Sequence, residues 1–151
     1  MSGTSLHDHF ERRPSGLFTL RIYRGDDLVD LIEENNLIVD GSKLIHAQLL
    51  GGNVANQSVT KIGFGTSTTA PAAGNTSLTG QYLKAIDGVT YPLTNQVSFQ
   101  FSLGTSENNG VSIGEFGLFT AGNVLYARKT RTTAIPKASD LSFTGSWIIS
   151  F

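Results

Sequence analysis

The chain has 151 residues, of which 39% are apolar and 15% charged, with a net charge of −1 and no cysteine. That length suits one domain with an ordinary core, and the missing cysteine excludes a disulfide framework, a thiolate metal site and a cysteine nucleophile. The near-neutral balance excludes the polycation that a nucleic acid backbone attracts.

In chain order, "MSGTSLHDHFERRPSG" mixes charges with Pro14 and Gly16, so residues 1–16 are expected to form an arm that stays mobile until a partner orders it. It holds no hydrophobic run of signal-peptide length, and nothing in the chain approaches the roughly 18 apolar residues of a membrane span. The expectation is a soluble product of the cytoplasm. From Leu17 to Arg24 alternation sets in, with Phe18, Leu20 and Ile22 on one face of a strand. The Gly25–Asp27 turn leads into a second strand from Leu28 to Glu34, making a hairpin.

"SKLIHAQLLGG" carries the one helical spacing, with Ser42 as its expected cap and Gly51 and Gly52 as its end. Period two then returns in Val59–Gly65, in Tyr82–Tyr91, read as a single strand, and in "QVSFQFSL", where Val97, Phe99, Phe101 and Leu103 face one way. Asn109-Gly110 supplies a turn. "VSIGEFGLF" and "VLYARKTR" form a hairpin through "TAGN", and Leu141, Phe143, Trp147, Ile149 and Phe151 share a parity at the C-terminus. About eight short strands with one short helix predict an all-β antiparallel sandwich or jelly roll over residues 17–151.

The glycine-rich stretch Gly63–Gly80, "GFGTSTTAPAAGNTSLTG", invites comparison with a phosphate-binding loop. No lysine follows its glycines as a P-loop requires, and a dinucleotide fingerprint needs glycine where Thr68 stands. It reads instead as a long excursion between strands, of a length that usually carries a binding function. His7-Asp8-His9 lacks a third metal ligand nearby, and Arg24-Gly25-Asp26 has the composition of a turn. No Gly-x-Ser-x-Gly elbow or paired acid and base is present, so no catalytic site, metal or cofactor is expected.

Two features remain. Glu115 stands among apolar residues in "VSIGEFGLF", as a buried partner for Arg128 or Lys129 across the hairpin. "ARKTR" places Arg128 on one strand face and Lys129 and Arg131 on the other, to meet an acidic partner or to guard an edge. Residues 1–40 hold eight acids and four bases, and residues 41–151 four acids and seven bases, an asymmetry suited to orienting a copy or partner.

The ordered blocks "NLIVDGSKLIHAQLLGG", "VTKIGFGTSTTAPAAGNTSLTG", "EFGLFTAGNVLYARK" and "LSFTGSWIISF" resemble small virion structural proteins of tailed bacteriophages over residues 17–151. Within that group the chain looks most like the capsid cement, or decoration, proteins of Bordetella-type podophages. The resemblance implies a jelly roll, a homodimer and a non-enzymatic role on the capsid exterior, with the major capsid protein as partner and neither nucleic acid nor membrane bound. The expected contacts are Phe10, Arg12 and Arg13 in the arm, Thr68, Pro71 and Asn75 in the long loop, and Arg128, Lys129 and Arg131 on the basic strand. Related blocks also occur in tail and tail-fibre components, which leaves open an alternative role in binding a host receptor or glycan.

Overall fold

The computed structural model describes residues 14–151. Phe10, Arg12, Arg13 and the His7-Asp8-His9 run lie outside the described residues. Nine strands and one helix follow in the order β1 (Ser15–Arg24), β2 (Asp27–Ile38), α1 (Gly41–Leu50), β3 (Val59–Gly65), β4 (Tyr82–Ala85), β5 (Gly88–Thr90), β6 (Gln96–Leu103), β7 (Ser112–Thr120), β8 (Leu125–Pro136) and β9 (Leu141–Ser150). The expected antiparallel sandwich is present, with nine strands in the order β4-β3-β7-β8-β2-β1-β9-β6-β5.

That long sheet curls because two segments change partners along their length. Residues 27–36 of β2 pair with β1, and then Leu37 and Ile38 pair with Arg128 and Ala127 of β8. On the opposite flank β4 pairs with β3 and β5 with β6. Between them the Ile86 N–H donates to the Thr60 carbonyl at 3.0 Å and the Asp87 N–H to the Gln100 carbonyl at 2.7 Å. The stretch expected as one strand, Tyr82–Tyr91, is therefore two short strands at opposite ends of the sheet order. Their shortness leaves little free edge for unwanted pairing.

The alternation that predicts the strands also places the core. Phe99, Phe101 and Leu103 are buried, as are Phe18, Leu20 and Ile22. Phe18 joins the two layers: its ring lies 4.9 Å from Trp147 and 5.7 Å from Phe101 on its own side, and 4.8 Å from Phe116 of β7 opposite. Such pairs add about 0.5–1.5 kcal/mol each beyond the area they bury. β7 departs from alternation, since all residues from Ile113 to Thr120 are buried. The long loop after β3 and the neighbouring strands cover both of its faces.

Four local expectations change. β1 begins at Ser15, two residues inside the expected arm, because Ser15 and Gly16 already pair with Ser150 and Ile149 of β9. The cap of α1 is Asp40, while Ser42 is buried in the first turn with its N–H donated to the Val39 carbonyl at 3.1 Å. In the β6–β7 turn the positive φ falls on Asn108 and Gly110. Phe151 keeps the parity of β9 but is 58% exposed, since the strand ends before it. No helix among the described residues is long and apolar enough to cross a membrane.

Candidate functional site: a long loop tied to a buried ion pair

The loop between β3 and β4, residues 66–81, contains no regular structure. Its position is nevertheless over-determined, and the reason lies beneath it in β7. Glu115 sits opposite Gly65 in the β3–β7 register and is 1% exposed. Its Oε2 accepts the N–H groups of Ser67 at 2.9 Å and Thr79 at 2.8 Å, one from each limb of the loop. Its Oε1 accepts the Arg128 Nε at 2.9 Å. The glycine-rich stretch does cradle an anion with backbone amides, and that anion is the chain's own carboxylate.

Arg128 continues the network outward. Its Nη1 donates to Asn75 Oδ1 at 2.9 Å and its Nη2 to the Thr69 carbonyl at 3.1 Å. The planar guanidinium thereby holds three acceptors in a fixed fork, a task a lysine ammonium does not replace. Asn75 Oδ1 also accepts the Ala72 N–H at 2.8 Å, which closes the turn at the loop's tip. A second tie runs to the helix, where the Asp40 N–H donates to the Ala73 carbonyl at 2.8 Å. Leu78 completes the attachment by packing in a small apolar cluster with Val39, Phe119 and Leu125.

Two glycines make room for this arrangement. A Cβ on Gly65 would stand 2.7 Å from Glu115 Cγ and Oε2, in the space the carboxylate occupies. A Cβ on Gly114 would stand 2.7 Å from the Ser67 carbonyl, so the loop lies directly on β7. What the loop shows to solvent is small and weakly polar: Thr68, Thr69, Ala70, Ala72, Ala73, Thr76 and Ser77 are exposed.

The expected contact residues separate accordingly. Thr68 is exposed on the loop, and Pro71 and Asn75 are half-buried, Asn75 with its side-chain oxygen engaged inward. Arg128 is buried and fully engaged by the loop. Lys129 and Arg131, on the other face of β8, approach the acidic strand β2: Lys129 Nζ lies 3.4 Å from Glu34 and Arg131 Nη1 3.8 Å from Asp30. Arg24, of the Arg-Gly-Asp tripeptide, donates its Nε to Asp140 at 2.8 Å.

A second feature has no counterpart in the sequence reading. Where β9 ends, an apolar groove of about 250 Å³ runs between α1 and the β5–β6 flank, lined among others by His46, Leu49, Val89, Tyr91, Val97 and Phe151. His46 packs edge-on to Phe151 with ring centres 5.7 Å apart and hydrogen-bonds through Nε2 to the Tyr126 hydroxyl at 2.8 Å. Burial holds the His46 pKa below its ordinary value and pushes that of Tyr126 well up. The exposed Tyr91 and the outward Leu49 are the local signals for this groove, but its walls come from six separate segments.

Among the described residues no group of three or more His, Cys, Asp or Glu side chains is placed to hold a metal ion. The geometry is that of an all-β domain with one long loop braced from beneath by a buried ion pair. No protein-family model, no curated protein and no solved structure matches this chain.

Proposed function

We propose that the protein is a non-enzymatic structural subunit of a tailed-phage virion, which binds the outer surface of the capsid and ties adjacent major capsid subunits together against internal DNA pressure. The observation that carries the reading is the braced loop 66–81. A long loop held by a buried ion pair and several main-chain hydrogen bonds meets a partner without first losing its freedom, which removes part of the cost of association. Its exposed threonines and alanines, Thr68 foremost, form the contact surface together with Pro71 at its edge. The resemblance of several sequence blocks to phage virion proteins points the same way. A single contact of standard size buries about 800 Å² per partner, and many copies bridging neighbouring subunits add through linked attachment.

The test is to image purified particles carrying labelled protein, alongside a variant with Thr68→Arg on the loop surface. Signal over the whole head, reduced in the variant while the protein's melting is unchanged, is the expected result. Signal at the tail tip, with binding of the isolated protein to host cells, would instead favour receptor or glycan recognition by a tail component.

A further inference from the structure

The longest free strand edge among the described residues belongs to β2. From Asp27 to Asn36 the strand runs beside β1 on one side, and on the other it meets β8 only beyond that stretch, at Leu37 and Ile38. The outermost strands of the sheet, β4 and β5, are only four and three residues long. An open edge of this length presents a row of unpaired main-chain N–H and C=O groups, a template for a further strand. Its side chains are open too: Asp27–Leu31 and Glu33–Asn35 are all exposed, among them the large apolar Leu28, Val29 and Leu31. Register with Tyr23 and Arg21 places Leu28 and Leu31 together on the outward face of the hairpin.

Charge says what pairs there. Residues 26–34 hold five acids and no base. Two copies of this edge laid together would set like charges against one another, which opposes strand pairing. The chain's own cations reach only two of the five, Lys129 meeting Glu34 and Arg131 meeting Asp30. Among the described residues, Asp26, Asp27 and Glu33 have no Lys or Arg within ion-pair distance, and all three are exposed. We propose that the free edge of β2 adds an extended segment of another protein as a strand, one with basic residues near both ends and apolar residues between. The main-chain ladder supplies the affinity, and the side chains choose the partner. Cations at one end meet Asp26 and Asp27, those at the other meet Glu33, and the apolar residues between them cover Leu28 and Leu31. From Asp27 to Glu33 is about 20 Å of strand, so the two basic groups stand roughly six residues apart. The edge lies away from loop 66–81, so this contact stands independently of the capsid reading.

The test uses the full chain and three synthetic peptides: Lys-Lys-Val-Thr-Val-Thr-Val-Lys-Lys, the same peptide with Glu for every Lys, and the lysine peptide with its central Val replaced by Pro, which cannot complete a ladder. By fluorescence anisotropy the first is expected to bind at least about tenfold more tightly than either of the others. Its binding should slow hydrogen exchange in β2 between Asp27 and Asn36 and leave β4 and β5 unchanged. Asp27→Lys combined with Glu33→Lys, both at exposed positions, should keep the melting temperature and reverse the preference towards the glutamate peptide. Equal binding of the proline peptide overturns the proposal, because attraction is then charge alone without an added strand. So does failure of the lysine peptide to bind, protection confined to another edge, or a preference that the double substitution leaves unchanged. Protection of β2 that grows with protein concentration in the absence of peptide overturns it as well, since the occupant is then a second copy.

Discussion

On strand β8, Arg128 and its neighbour Lys129 both meet carboxylates, at 2.9 and 3.4 Å, yet the two contacts act in different media. The Arg128 and Glu115 side chains are 6% and 1% exposed, whereas Glu34, the partner of Lys129, is 57% exposed. Lys129 and Arg131 are themselves partly covered, at 13% and 24% exposed, but their partners Glu34 and Asp30 stand in water, which screens each pair and holds its contribution to about 0.2–1 kcal/mol. The Glu115 carboxylate has no such solvent. Its charge is tolerable because Arg128 and two loop amides surround it, and the same bonds that satisfy it fix the loop. Charge on one face of the strand, which lies inside the sheet between β7 and β2, makes screened pairs with β2; on the other it organises sixteen residues of irregular chain.

The comparison can be broken most directly at Arg128. Arg128→Ala leaves a buried carboxylate without its counter-charge, and the denaturation midpoint is expected to fall by the equivalent of about 3–5 kcal/mol. Hydrogen exchange at Ser67 and Thr79 should rise in the same variant, and a loss below about 1 kcal/mol would show that the pair is not sealed from water. Replacing both partners, as Glu115→Leu with Arg128→Met, sharpens the point. An ordinary buried pair often tolerates apolar replacement, but here the Ser67 and Thr79 N–H groups lose their acceptor, so the double variant should remain destabilised and its loop sensitive to protease.

A smaller effect is expected from Gly65→Ala, whose methyl intrudes on the Glu115 carboxyl: overpacking of this kind costs about 1–3 kcal/mol, measurable by the same denaturation. On the other face, Arg131→Ala should cost under about 1 kcal/mol, since its 3.8 Å contact with the half-open Asp30 is screened, and the difference should vanish near 1 M salt, where the screening length is about 3 Å. A salt-insensitive loss as large as that of Arg128→Ala would erase the distinction between the two faces.

The smallest effect concerns His46. Burial lowers its folded pKa, so as pH drops through the unfolded value near 6.5 the unfolded chain takes up a proton that the folded chain resists. This contribution to stability is complete above the unfolded pKa and declines as pH falls towards the folded one. His46→Gln should flatten that part of the curve of denaturation midpoint against pH, and an unchanged slope would exclude His46 as its source.

Much of the fold was legible because burial alternates along a strand. "QVSFQFSL" gave both the bounds of β6 and its inward residues, and the parity of Leu141, Phe143, Trp147 and Ile149 gave β9. Half of the candidate site was legible as well. A glutamate among apolar residues, one hairpin away from two cations, announces a buried pair, and the register selects Arg128 over Lys129. The two loop amides on Glu115 and the Asn75 contact were not legible, because irregular chain has no period from which to read where its N–H groups point. Neither was the groove, whose walls lie far apart in the chain.

The sequence by itself determined which residues face inward, where most turns fall, and that a carboxylate in β7 requires a partner. These follow from side-chain alternation, backbone freedom at glycine and asparagine, and the cost of an unpaired charge, all of which act locally. Only the tertiary structure decided that Tyr82–Tyr91 divides between two ends of the sheet, that β2 changes partner at Leu37, and that an apparent tether is a braced loop. Those outcomes depend on which distant strand supplies each hydrogen bond, and every strand edge offers the same donors and acceptors. The choice among them is made by the packing of the whole domain.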